Sequence, residues 1–170
     1  MGLEHLWAGW RTEYVTMAAD DGGPAGDECA FCRILGSGAP DTETHVIWRG
    51  ARSVAILNAY PYTSGHLMVM PVRHVGELEE LDDDERAELW AGVIDAVVAL
   101  KDAYRPEGVN FGANLGRAAG AGVPGHFHMH VLPRWAGDTN FMTTVAGARV
   151  MPESLPATDE RVRAAWPRPT

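Results

Sequence analysis

Short apolar runs separated by turn residues dominate the middle of the chain and predict β-strands. Residues 46–49 and 52–57 flank a Gly-Ala pair, and this pattern predicts the two strands of a β-hairpin. A third strand is predicted over residues 66–70, where Pro71 ends the apolar run because proline cannot donate to the hydrogen-bonded ladder. These segments indicate a sheet.

The longest periodic pattern follows Asp82 and predicts the principal helix. Apolar side chains recur on one helical face at Leu89, Val93, Val97, Leu100 and Tyr104. Asp82 with Glu85 three residues later has the sequence of a capping box, and Pro106 ends the pattern. We expect this helix to pack against the sheet.

Two further strands are predicted after the helix, over residues 109–114 and 126–132. They are joined by a loop rich in glycine and alanine, residues 115–125. The fold class is therefore predicted to be α+β, with an antiparallel sheet of about five strands and one principal helix.

Both ends of the chain lack a clear core pattern. Residues 1–28 are predicted to form an N-terminal arm, with apolar residues at three- and four-residue steps, and a mobile linker of glycine, alanine, aspartate and proline. Residues 153–170 are rich in proline and charge, and we expect an irregular C-terminal tail.

Composition and charge narrow the possible classes of protein. The chain has 170 residues, of which 46% are hydrophobic, which suits a single globular domain. The net charge of -9 has the wrong sign for a protein that binds nucleic acid through phosphate contacts. Asp95 interrupts the most apolar segment, and the chain start lacks a signal pattern, so we expect a cytoplasmic protein without a membrane span.

The most informative segment places His126, His128 and His130 at alternate positions of a predicted strand. Side chains alternate between the faces of a strand, so the three imidazoles are expected on one face. They are unrelated histidines, ligands of a catalytic metal, or a nucleophile with its neighbours, because neutral imidazole attacks phosphorus near pH 7.

A second candidate is the pair Cys29 and Cys32, separated by two residues. A C-x-x-C pair in a cytosolic chain binds zinc, exchanges thiols, or does neither. Two cysteines are too few for the disulfide framework of a small secreted protein.

The sequence His-x-His-x-His followed by two apolar residues resembles the signature of the histidine triad (HIT) family. Residues 58–67 resemble the family's upstream strand-loop-strand with its Gly-His, and Asn114 with Gly116 also fits. The resemblance covers residues 29–152, which it identifies as a HIT-like catalytic domain. The outer segments resemble the diadenosine tetraphosphate phosphorylase branch of that family.

The resemblance implies roles for several residues. His128 is implied to be the nucleophile that forms a nucleotidyl-histidine intermediate, and His130 to contact the phosphoryl group. His66 is implied to lie in the same cluster and hold the nucleotide or orient the triad. Asn58 corresponds to the family's contact with the nucleoside ribose.

The loop before the triad and the residues after it are candidates for substrate binding. Asn114, Gly116 and the following glycines leave backbone N–H groups for a phosphate cradle. Gly122 stands where many family hydrolases carry glutamine, which leaves both water and phosphate open as the acceptor. Trp135 is a candidate to stack on adenine, or else a core or interface residue.

The resemblance also implies a structural zinc site and an assembly. His74 and His126 correspond to the histidines that complete a Cys₂His₂ site with Cys29 and Cys32 in zinc members of the family, with His5 or His45 as rival ligands. No organic cofactor is implied. Family members commonly pair through the helix and a sheet edge, which implies a homodimer.

The function implied is cleavage of a nucleotide phosphoanhydride by nucleotidyl transfer through His128. The leading expectation is a diadenosine tetraphosphate phosphorylase that yields ATP and ADP. The alternatives are a hydrolase acting on dinucleoside polyphosphates, phosphoramidates or phosphosulfates, and a nucleotide-binding protein without turnover.

Overall fold

The computed structural model describes residues 29–138 and 151–168. The elements follow the order α1 (Ala30–Leu35), α2 (Asp41–Thr44), β1 (Val46–Arg49), β2 (Ser53–Leu57), β3 (Leu67–Pro71), α3 (Asp83–Tyr104), β4 (Gly108–Ala113), β5 (Met129–Arg134) and α4 (Leu155–Ala164). No helix in these two ranges is both long and apolar enough to cross a membrane. The predicted N-terminal arm and linker, residues 1–28, lies outside the described residues.

The five strands form one antiparallel sheet in the order β1-β2-β3-β5-β4. This confirms the predicted α+β class with one principal helix. The predicted strand boundaries differ by one residue at β2, β3 and β4. Pro71 lies in the ladder after all, at the end of β3 opposite Ser53, where a missing N–H is tolerated.

The histidine segment differs more from its prediction. The predicted strand over residues 126–132 begins only at Met129, which lies opposite Val69 of β3, and continues to Arg134. Before it, the amide of Phe127 donates to the carbonyl of Val75 at 2.7 Å. The residues before Met129 are therefore held by the loop after β3 and not by a strand ladder.

Helix α3 covers one face of the sheet, as its apolar periodicity predicts. Its capping box is present: the Asp82 side chain accepts from the Glu85 amide, and the Glu85 side chain accepts from the Asp82 amide. The helix approaches the sheet closely at Gly92, where an added Cβ would lie 2.9 Å from a methyl carbon of Val69. This core includes Phe127, whose side chain lies on the same side of the sheet as Met129 and Val131 of β5.

The opposite face of the sheet carries a second, smaller apolar cluster. Its buried members are Phe31, Val46, Val54, Ile56, Met68 and Met70. Phe31 comes from α1, so this short helix lies over the face that α3 leaves uncovered. The histidines of the candidate site lie beside this cluster.

The expectation of an irregular C-terminal tail is wrong, because residues Leu155–Ala164 form helix α4. Val162 is fully buried in the core, and the ring of Trp166 stacks on Trp48 with centroids 6.0 Å apart. Arg163 donates to the carbonyl of Val46 at 2.8 Å. The helix is thereby fastened to the edge strand β1, whose outward carbonyls need a donor.

Candidate active site

The three alternating histidines divide into a pair and a single residue with different partners. His130 stands on β5 opposite Met68, and its ring centroid lies 4.9 Å from that of His128. His126 is turned toward the cysteines, with Nδ1 3.3 Å from Sγ of Cys29. All three histidines are buried. His128 and His130 therefore belong to one cluster, and His126 belongs to an adjacent cluster with the cysteines.

The hydrogen bond of His128 assigns its proton. Its Nδ1 lies 2.9 Å from the carbonyl oxygen of His126, and a carbonyl can only accept, so Nδ1 carries the proton. The lone pair is then on Nε2. Burial lowers the pKa of His128, which keeps the ring neutral near pH 7. A neutral imidazole with a free Nε2 is the form that attacks phosphorus.

The hydrogen bonds of His66 and His130 also determine which ring nitrogen of each carries the proton. The amide of Tyr62 donates to Nδ1 of His66 at 3.1 Å, so His66 carries its proton on Nε2. That nitrogen lies 2.9 Å from Nδ1 of His130 and donates to it, which places the proton of a neutral His130 on Nε2. Burial, with a smaller contribution from His128, lowers the pKa of His130 to about 4. His130 is therefore a neutral N–H donor beside the nucleophile.

The loop between β2 and β3 holds His66 in place. Asn58 follows β2, its amide donates to the carbonyl of His66 at 2.9 Å, and its side-chain oxygen accepts from the amide of Tyr60. Gly65 has φ of 82°, and an added Cβ would lie 2.8 Å from a ring carbon of Tyr104. Only glycine allows this close approach of the loop to α3. Asn58 is thus beside the histidine cluster, where its ribose contact stays a prediction.

The glycine-rich loop has fewer outward amides than its composition predicts. The amide of Gly120 donates to the carbonyl of Arg117 at 2.9 Å, and the amide of Ala121 donates to the carbonyl of Gly116. Gly122 is exposed, with open space around the position of a Cβ. Of the three amides of residues 120–122, only that of Gly122 makes no backbone hydrogen bond within the described loop. Asn114 lies just after β4, and its contact with substrate stays a prediction.

Trp135 is not brought to the histidine cluster. Its ring packs edge-on to Tyr104 of α3, with centroids 6.1 Å apart, and its amide donates to Asp138 at 3.1 Å. This contact lies on the helix side of the sheet, whereas His130 faces the other side. The described structure therefore favours the packing role that the sequence left open for Trp135.

The four residues predicted to bind zinc lie together. The ligand atoms of Cys29, Cys32, His74 and His126 all lie within 4.8 Å of one another. His126 donates from Nε2 to the carbonyl of Pro71 at 2.9 Å, so the Nδ1 lone pair faces the cysteines. Two sulfurs and two imidazole nitrogens are a donor set that suits tetrahedral zinc.

The protonation of the cysteine pair depends on whether a cation is bound. Burial, followed by the neighbouring Cys29 thiol, raises the pKa of Cys32. A bound divalent ion would reverse this effect and hold both sulfurs as thiolates. Of the rival ligands, His45 pairs with Asp159 at 3.1 Å, and His5 lies outside the described residues.

Separate parts of the fold position these ligands. Cys29 is the N-cap residue of α1 and Cys32 lies one turn later. The loop that carries His74 is tied to the start of α3, because Arg73 donates to Glu85 at 2.8 and 2.7 Å. This contact lowers the pKa of Glu85 to about 2.

Sequence reasoning missed two aromatic residues at the site. Phe31, between the two cysteines, packs edge-on to His126 and His128, with centroid distances of 5.5 and 5.1 Å. Tyr62 packs against His66 and His130. The sequence offered one signal for each: Phe31 lies between the two cysteines, and Tyr62 lies four residues before His66.

Comparisons with known proteins identify the family of the chain. The HIT domain family model matches residues 39–137. The AP-4-A phosphorylase of Mycobacterium tuberculosis is 41% identical over 169 residues, covering 98% of this chain and 86% of that protein. Among solved structures, a Zn-bound histidine triad family protein from Mycobacterium smegmatis matches with TM-score 0.66 and 29% identity, over 82% of this chain and 93% of that one. A hypothetical histidine triad nucleotide-binding protein from Sulfolobus tokodaii matches with TM-score 0.65 and 29% identity, over 81% and 91% of the chains.

Proposed function

The chain belongs to the HIT domain family, and from this membership we propose that it is a diadenosine tetraphosphate phosphorylase. It is an enzyme of nucleotide phosphoanhydride chemistry, a reading supported by the 41% identity to the AP-4-A phosphorylase of M. tuberculosis. The observation that carries the proposal is the buried, neutral His128 with its lone pair on Nε2.

The proposed reaction has two displacements at one phosphorus atom. In the first, Nε2 of His128 attacks the α-phosphorus of diadenosine tetraphosphate, a P–N bond forms, and the P–O bond to the departing ATP breaks. In the second, an oxygen of inorganic phosphate attacks the same phosphorus, the P–N bond breaks, and ADP leaves. The electron pair returns to Nε2, so His128 is regenerated.

The neighbouring groups supply charge stabilisation and not proton transfer. His130 presents Nε2–H, which we propose donates to the phosphoryl oxygens as negative charge moves between them. ATP is a stable anion near neutral pH, so its departure needs little help from an acid. Asn58 and Asn114 are proposed to bind ribose and phosphate, with the Gly116 to Gly122 loop beside them.

Product analysis tests the acceptor and the enzyme class together. We expect purified protein to convert diadenosine tetraphosphate to ATP and ADP only when inorganic phosphate is present, because phosphate is the second nucleophile. The products are separated by anion-exchange chromatography, with and without phosphate. AMP and ATP formed without phosphate would replace the phosphorylase with the alternative hydrolase.

We further propose that Cys29, Cys32, His74 and His126 hold one structural zinc ion. The four ligands fill a tetrahedral site and leave no open position, so the ion would serve the fold. The Zn-bound relative from M. smegmatis supports this choice of metal. The site would join α1 to the backbone that precedes His128.

A homodimer is proposed through an exposed apolar patch on α3 and the edge strand β4. The patch contains Trp90, Ile94, Val98 and Phe111, which are 50, 60, 38 and 54% exposed. The ring of Trp90 packs edge-on to that of Phe111. An exposed patch of this kind beside a strand at the edge of the described sheet favours association with a second copy.

Substitution in this patch tests the dimer. Replacing Trp90 with glutamate should raise the dimer dissociation constant by about 100-fold, because a charge would be buried among apolar side chains. Light scattering across a concentration series measures the change, and Tyr60→Ala is the control because Tyr60 is 87% exposed and lies outside the patch, on the loop between β2 and β3. A wild-type monomer at all concentrations would contradict the proposal.

We propose a cytoplasmic location, because the cysteines of the zinc site must stay reduced. Two thiols that bind a metal need a reducing compartment, which supports the cytoplasm. The net charge of -9 supports the prediction that nucleic acids are not partners.

A further inference from the structure

The ring of Tyr62 covers the histidine pair that lies beside the nucleophile. Its centroid lies 4.6 Å from that of His66 and 5.8 Å from that of His130, and it stacks on His130 at an interplanar angle of 30°. Tyr62 is 47% exposed. One side of the ring therefore lies on the imidazoles, while about half of the side chain is exposed.

The backbone of the same residue assigns the protons of that pair. The Tyr62 amide donates to Nδ1 of His66, and the Nε2–H of His66 donates to Nδ1 of His130. The order of donors leaves the proton of His130 on Nε2. A backbone amide, and not a carboxylate, begins this relay.

We propose that Tyr62 is a positioning residue for nucleotidyl transfer, whose amide and ring together hold the Nε2–H donor of His130 in place and keep water from the His66–His130 hydrogen bond. The inference rests on the proposed function, because it assigns Tyr62 a part in the same site. A hydrogen bond between neutral imidazoles is stronger and more directional where water is excluded. Tyr62 is the one side chain of its loop with ring contacts to both histidines.

The groups packed around His130 show what sets its pKa. His66 faces it from the loop, and His128 faces it from the same segment. Opposite it on the neighbouring strands stand Met68 and Gly112, which do not titrate. Burial is the main cause of the lowered pKa of His130. Removal of the covering ring admits water, which favours the charged imidazolium and raises that pKa.

The test compares Tyr62→Ala with Tyr60→Ala, a matched control two residues earlier with an 87% exposed side chain. We expect kcat for phosphorolysis to fall about 10- to 100-fold in Tyr62→Ala, with a smaller change in KM. The reason is that a misplaced Nε2–H of His130 stabilises the transition state less. The acid limb of the pH–rate profile should move to higher pH. Tyr62→Phe retains the ring and should recover most of the loss, and Tyr60→Ala should match the wild type.

A second measurement needs no substrate. In ¹⁵N-histidine NMR of the free protein, His66 and His130 should each show a protonated Nε2 and an accepting Nδ1. In Tyr62→Ala the titration midpoint of His130 should rise toward the ordinary value of about 6.5. If Tyr62→Ala does not fold, Tyr62→Gln carries the same expectation, since glutamine does not exclude water.

The two measurements separate this inference from the proposed function. Protein that turns over no dinucleotide, yet shows the expected NMR shift, would reject the phosphorylase and retain the role of Tyr62. A Tyr62→Ala protein that matches Tyr60→Ala in both kcat and the His130 titration would overturn the inference.

Discussion

Replacing His128 with asparagine should reduce turnover of diadenosine tetraphosphate by about 10⁴-fold or more, while nucleotide binding changes by less than about threefold. The asparagine amide can donate to the carbonyl of His126 as Nδ1–H does, so the backbone around the site is retained. It offers no nitrogen lone pair in place of Nε2. The chemical step is therefore lost and the cleft is kept.

Two measurements together check this expectation. Calorimetric titration with a non-cleavable dinucleotide analogue measures binding, and product chromatography measures turnover. Mass spectrometry of alkali-quenched wild-type protein should also find one adenylyl group on His128, absent from His128→Asn. A variant that keeps more than a tenth of wild-type turnover would exclude His128 as the nucleophile. Wild-type protein that binds the nucleotide but never cleaves it would favour the alternative of a binding protein.

Replacing both Cys29 and Cys32 with serine should remove the bound metal and lower the free energy of unfolding by about 3–5 kcal/mol. Serine hydroxyls are poor zinc ligands because they stay protonated near neutral pH. Loss of the ion would also release Phe31, whose ring packs on His128, so turnover should fall as well. Elemental analysis and thermal unfolding measure the two main effects.

The control for this prediction keeps the cysteines and removes only the ion. Chelation of the wild-type protein should reproduce the loss of stability, and added zinc should restore it. The double serine variant should not respond to zinc. Wild-type protein that contains no metal and is equally stable before and after chelation would eliminate the zinc site.

Short-range patterns in the sequence predicted much of the fold. The capping box at Asp82 and Glu85 depends on groups three residues apart, and it forms as predicted. The alternation that puts the histidines on one face also puts Phe127 and Met129 on the other, and both lie in the core. Each of these features depends on local spacing, which a sequence displays directly.

Local spacing failed where contacts over long sequence distances decide the structure. Helix α4 has few apolar residues, and Val162 and Trp166 become core residues only because β1 and Trp48 lie beneath them. The strand at His126 begins late because Phe127 binds the carbonyl of Val75, more than fifty residues away. The proline and charge content of residues 153–170 therefore led to the wrong prediction of an irregular tail.

The sequence by itself determined which side chains are available for chemistry and which of them can share a strand face, because residue type and a period of two are properties of the chain. The tertiary structure alone decided their protonation. His128 has its lone pair on Nε2 because a carbonyl lies at its other nitrogen, and His130 has an N–H there because His66 and the Tyr62 amide lie behind it. An imidazole tautomer is set by its hydrogen-bond partner, and in the case of His130 that partner lies 64 residues earlier in the chain.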